Sequence, residues 1–403
     1  MRTVLKRCYW TLALLFVLSL LSVYFASHTH ADGGAPNLAY VSGTSAGVKV
    51  IDVGQAKVTK TIAVAGDPHT ILLSQDGSFL YVSQPAVGRV SVIRAGTGQV
   101  FCSADLPGEP ALLAIDPDTN TLYAAGSGSA QVSALDPTSC RVQHTFGVDG
   151  PVYGLAVALT AGSSLTGGPS NQLWVASTDG LTIFDDRTEQ TLGRVPLPDG
   201  PQYLSIPPGN TVYVTTRQGS VDAVDLKTRG VHQLLKGGIY GPMDYDALTG
   251  EVYVPDEQHS VLDVLSPVNA GLTTLPKEPN RVFHTDAPPE SVAITNDGLL
   301  GFIALRGGRV AMLDLIARRL VYTVYVGGTP HFIITGLYPP PVIDTAAPAS
   351  TPISPQQSPT PQVFWVMVFI ASLVTVVVVT IILVWQLRQS LKSEHQGGRS
   401  PPA

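Results

Sequence analysis

Gly66-Asp67-Pro68-His69-Thr70-Ile71-Leu72-Leu73-Ser74-Gln75-Asp76-Gly77-Ser78-Phe79-Leu80-Tyr81-Val82-Ser83 decides the fold. A proline opens it, and a short apolar run follows. Asp76-Gly77 then supplies the positive-φ residue that a tight hairpin needs. Leu80-Tyr81-Val82 closes the stretch as a second run of strand-forming residues. The same grammar recurs at Pro110, Pro151, Pro201, Pro242, Pro289 and Pro330, with successive prolines 42, 41, 50, 41, 47 and 41 residues apart. Second runs return as Leu122-Tyr123-Ala124, Leu173-Trp174-Val175, Val212-Tyr213-Val214 and Val252-Tyr253-Val254. Third runs end in aspartate at Asp136, Asp185, Asp225 and Asp314, and a more polar fourth run leads to the next proline. Four short strands repeated at a period near 40 are the mark of a β-propeller.

The two ends of the repeat array complement each other. The last unit holds only a first strand, Pro330 to Thr335. The N-terminal side holds only the missing three, around Ala39-Tyr40-Val41, Val48 to Asp52, and Lys57 to Ile62. Together they make a seventh blade, which closes the ring and removes an exposed sheet edge. The expected fold is therefore an all-β, seven-bladed propeller over residues 32–337, closed by its N- and C-terminal strands.

The stretch from Gly66 to Ser83, with Val326-Gly327-Gly328-Thr329-Pro330-His331 repeating its opening, resembles the YVTN family of bacterial β-propellers. More distantly, the chain is similar to lactonase-type seven-bladed propellers. The resemblance implies the fold over roughly residues 37–337. It implies little about activity, because the family includes cell-surface proteins with no known activity. Val214-Thr215-Thr216 is followed by Arg217 where the family has asparagine.

Two apolar segments frame the array. Arg2, Lys6 and Arg7 precede the run from Leu12 to Phe25, and small residues follow at Ala26 and Ala31. Residues 1–31 thus read as a secretory signal peptide or an uncleaved signal anchor. Residues 363–385 carry no charge, and roughly 20 such residues cross a hydrocarbon core. Trp365 and Trp385 lie near the ends of this span, and Arg388 and Lys392 follow it. The positive-inside rule puts residues 386–403 in the cytoplasm and the propeller outside. Residues 338–362, rich in Pro, Thr, Ser and Ala, read as an extended stalk. The expected location is the cell membrane, single-pass, with the propeller extracytoplasmic.

With 39 Gly and 32 Pro in 403 residues the chain is rich in turns. Its net charge of −6 provides no basic stripe for nucleic acid. Cys8 lies before the signal core. Cys102 and Cys140 fall near the fourth strands of adjacent blades, and the sequence leaves open a disulfide or two separate thiols.

First strands line a propeller's channel, so the residues after the prolines ring one mouth: His69, Ala111, Val152, Gln202, Met243, Glu290 and His331. Glu290, His331 and His69 occupy three consecutive blades. Two imidazoles and a carboxylate suit a divalent metal, and equally an acid–base pair for a hydrolase. The same histidines would also serve as strand-end structure bonded to backbone carbonyls. No cofactor other than such a metal is expected. Loops after the second strands open on the same face and carry Gln84, Arg89, Asp179, Arg217, Gln218, Asp256, Glu257, His259 and Arg306. Candidate ligand-binding residues are His69, Gln202, Glu290, His331, Arg217 and Arg306. The leading functional expectation is a non-catalytic binding scaffold for an envelope protein or glycan. The alternatives are a lactonase-like hydrolase using the funnel and a structural envelope spacer. The recurring third-strand aspartates read as turn formers.

Overall fold

A computed structural model describes residues 38–44, 46–159 and 171–336. Seven four-stranded antiparallel sheets succeed one another along the chain. Blades 1 to 6 span residues 71–105, 112–147, 154–196, 201–236, 244–284 and 289–325. Blade 7 is assembled from both ends: Ile333–Gly336 pairs with Leu38–Thr44, followed by Gly47–Asp52 and Lys57–Ile62. The ring closes as the partial repeats require. Blade 5 has the shortest first strand, Asp244–Tyr245.

One aromatic side chain per blade explains why the repeat keeps its Tyr-Val core. Tyr40, Tyr81, Tyr123, Trp174, Tyr213, Tyr253 and Phe302 stand at the same place in the seven second strands. All are at most 3% exposed. Period-2 alternation sends them to one side of each sheet, into the space between blades. Burying one such side chain contributes roughly 1.5–3 kcal/mol.

The third-strand aspartates are turn formers. Asp136 Oδ1 accepts the Thr138 amide at 2.8 Å, Asp185 Oδ1 the Thr188 amide at 2.7 Å, Asp225 Oδ1 the Lys227 amide at 3.0 Å and Asp314 Oδ1 the Ala317 amide at 2.8 Å. A carboxylate bonded to the backbone two or three residues on stabilises a tight turn. The residue four places after each aspartate has positive φ: Cys140, Glu189, Arg229 and Arg318. Non-glycine residues take this conformation here because the turn and the bulge after it impose it.

Cys140 occupies one of these turn positions. It is 8% exposed and packs with Leu72, Tyr81 and Leu122 at the seam of blades 1 and 2. Its Cα lies 5.9 Å from that of Cys102, and the two form a disulfide. Cys140 sits in the turn just before the fourth strand of blade 2, buried at the seam and within bonding range of Cys102.

The signal segment, stalk, membrane span and tail lie outside the described residues. Among the described residues, no helix is long and apolar enough to cross a membrane.

Candidate functional site at the proline face

Register places the candidate residues on one face. Pro289 pairs with Leu305, and Pro201 with Thr216, so each first strand starts where its second strand ends. The residues after the prolines and the loops after the second strands therefore share the mouth of the channel.

At the closure between blades 7 and 1 the two histidines meet. The His69 and His331 rings stack with centroids 5.1 Å apart and planes 17° from parallel. His331 Nε2 is 3.8 Å from Asp67 Oδ2. Burial, and then the neighbouring His331, pushes the His69 imidazole down to about 4, although a hydrogen bond with the Ala111 backbone opposes this. His69 is therefore neutral at physiological pH. Its imidazole lies below the range of a base poised near 7.

Backbone ties fix the pair. The His331 amide donates to Ser42 O at 3.2 Å, and the Gly43 amide to Pro68 O at 3.0 Å. Ser42 Oγ donates to the His69 carbonyl. Thr70 Oγ1 and Ser83 Oγ donate to Ala111 O at 2.6 and 3.1 Å. Carbonyls after the prolines thus receive hydroxyls from the preceding blade, a blade-to-blade stitch. Gly43 has φ +74°, and an added Cβ there would collide with Thr329 O and the His331 ring.

Glu290 does not join the histidines. Its Oε1 accepts Arg306 Nε at 2.8 Å, and Arg306 Nη2 donates to Glu257 Oε2 at 2.5 Å. The carboxylate side chains are 15% and 20% exposed, and the arginine between them is 53% exposed. Burial, followed by the Glu290 charge, raises the Glu257 carboxyl against the pull of Arg306. Tyr203 feels both glutamates: burial first, then Glu257, raises its phenol, while Gln202 hydrogen-bonds it.

The structure therefore does not gather His69, His331 and Glu290 into one group. In-plane lone pairs of two nearly parallel rings do not converge on one point, and Glu290 is engaged by a guanidinium. Among the described residues, no three His, Cys, Asp or Glu side chains are grouped to hold a metal ion.

The remaining candidates divide between structure and surface. Arg217 Nη2 donates to Thr178 O at 2.7 Å, and its guanidinium carbon stands 4.3 Å from the Tyr153 ring centroid. It bridges blades 3 and 4. Gln84 is 5% exposed and bonds Ala65 O at 2.7 Å and Ser91 Oγ at 2.5 Å, which is core work. Arg89 pairs with Asp105 at the surface. His259 Nδ1 lies 2.6 Å from Asp256 Oδ2, and that bond raises the imidazole. Tyr153 and Tyr203 were not among the sequence candidates. Both stand two places after a proline, which is the one signal that would have found them.

No protein-family model matches the chain, and no curated protein matches it. Solved structures do. Hydrazine synthase of Kuenenia stuttgartiensis is 20% identical, with a TM-score of 0.56 over 70% of this chain and 92% of that one. Apo AztD from Citrobacter koseri is 13% identical, with a TM-score of 0.55 over 74% and 97%. The dihydro-heme d1 dehydrogenase NirN is 13% identical, with a TM-score of 0.53 over 77% of each chain. At such identities the likeness is one of fold alone, and the fold is the seven-bladed β-propeller.

Proposed function

We propose that the chain is a membrane-tethered, extracytoplasmic propeller of the YVTN type that binds an envelope protein or glycan at its proline face. The observation that carries this reading is the gathering of Glu290, Arg306, Glu257, Gln202 and Tyr203 from blades 4, 5 and 6 at one channel mouth. These groups present charged and hydrogen-bonding atoms on a rigid scaffold, the arrangement by which loops of a fixed fold recognise partners. The apolar span and its basic flank support the tether. A non-catalytic role fits better than a hydrolase because His69 is held neutral and stitched to backbone, and Glu290 is neutralised by Arg306.

The test uses residues 32–337, which contain every strand of the closed ring, on envelope fractions. Retention that Arg306→Ala abolishes, with the fold intact by circular dichroism, is the expected result. Hydrolysis of a lactone or ester panel that His331→Ala removes would overturn it in favour of the enzyme. Neither retention nor hydrolysis would leave the spacer.

A further inference from the structure

Blades 2 and 3 meet on the face opposite the prolines through a contact that the proline-face site does not use. Asp116 ends the first strand of blade 2 and is fully buried. Asp186 follows the third strand of blade 3 and is 8% exposed. Their carboxyl groups hydrogen-bond each other across the seam. Asn171, 2% exposed, holds both sides. Its Nδ2 donates to Asp116 Oδ1 at 2.9 Å and to Asp118 Oδ2 at 3.0 Å, and its backbone carbonyl accepts the Asp186 backbone amide at 3.1 Å. Two buried carboxyls in contact cannot both be ionised, so one must carry a proton to donate.

The turn at Asp116 is ordinary. Its Oδ1 accepts the Asp118 amide and its Oδ2 the Thr119 hydroxyl, as Asp246 does for Leu248 and Thr249 in blade 5. What differs is the second carboxyl across the seam. At the corresponding edge of blade 4 the Leu226 amide bonds the Asn210 backbone carbonyl at 2.8 Å, as the Asp186 amide bonds that of Asn171, so an apolar residue stands in the place of the second acid.

We propose that Asp116 and Asp186 form a proton-held clasp between blades 2 and 3, which rising pH unfastens, loosening this seam. Burial and the Asp116 charge raise Asp186 to about 8, while hydrogen bonds from Asp186, Thr119 and Asn171 lower Asp116 despite its burial. The groups around the pair are Asp118, Asp185, Glu189, Tyr123 and, beside Glu189, His144. The Arg187 amide also bonds Asp186. Among the described residues no lysine or arginine forms an ion pair with either aspartate, so no cation offsets the repulsion.

An aspartate raised in the folded state binds a proton that the opened state has released. Opening therefore becomes easier as pH rises from the ordinary carboxylate range near 4 to about 8, and levels off above. Hydrogen–deuterium exchange of the full-length protein, from pH 6 to 9.5, reads this directly. Exchange of residues 112–118 and 171–176, divided by that of residues 201–216 in blade 4, removes the intrinsic pH dependence. The ratio should climb by up to about tenfold per unit to pH 8 and then flatten. Asp186→Asn should make it flat, because the amide donates without titrating. Asp116→Asn removes the pair from the other side and should do the same if the first variant does not fold. A wild-type ratio independent of pH overturns the clasp, as does an unchanged rise in either folded variant.

Discussion

The same repeat position produces opposite chemistry at two places on the channel mouth. In blades 1 and 7 the residue after the proline is histidine, and the two rings stack, one of them held neutral by burial. In blade 6 it is Glu290, which enters an ion network through Arg306 to Glu257 of blade 5. The first pair lies at the chain closure, where Ser42, Gly43 and Thr329 stitch strands from opposite ends of the chain. The second lies between blades continuous in sequence and keeps a half-exposed arginine. One region is built to hold the ring shut, and the other leaves charged atoms facing outward.

The largest effect should come from Gly43→Ala. It puts a side chain at φ +74° and against the Thr329 carbonyl, which cannot move without opening the closure. A loss of at least about 3 kcal/mol is expected in denaturant unfolding. Wild-type stability would mean that the closure tolerates movement and that the contrast with the ion network is overstated.

Acid should act on the histidine side next. His69 sits near 4 when folded and near 6.5 when unfolded. The unfolded chain binds the proton first, so stability falls as pH drops from about 6.5 to about 4 and is fully retained above that window. The loss is up to about 3 kcal/mol. His69→Phe should remove this slope in melts collected between pH 4 and 7, and a slope that persists would place its origin elsewhere.

Arg306→Ala attacks the other region. It leaves two partly buried carboxylates facing each other, at a cost of about 1–2 kcal/mol once the exposure of the arginine is allowed for. The variant should recover stability as pH falls, because the raised Glu257 carboxyl then takes up a proton. Loss independent of pH would show that the arginine acts by packing. Smallest of all, Arg217→Met should cost less than about 1 kcal/mol through the Tyr153 ring contact, measured by the same unfolding curves.

How much was legible follows from what repeats. Proline, Asp-Gly turn, Tyr-Val strand and terminal aspartate recur, and each recurrence reports a local requirement of backbone geometry. Blade number and closure could be read from them before any coordinates. Glu290, His331 and His69 also looked equivalent by register. Register alone could not show that Arg306, sixteen residues further on, would draw Glu290 away from the histidines. Tyr203 and Glu257 gain their place only from neighbours in other blades. Nothing in the repeat singled out Asp116 or Asp186, whose pairing depends on two different blades.

The seven-bladed ring was readable from the residues alone, because strand period, turn residues and split terminal repeats are local properties that sum along the chain. The tertiary structure alone decided which side chains meet across the seams: the disulfide from a turn cysteine, the stacked histidines, the arginine between two glutamates and the paired aspartates. Contacts between blades depend on twist, bulge and burial accumulated over tens of residues, and a pattern read one repeat at a time does not carry them.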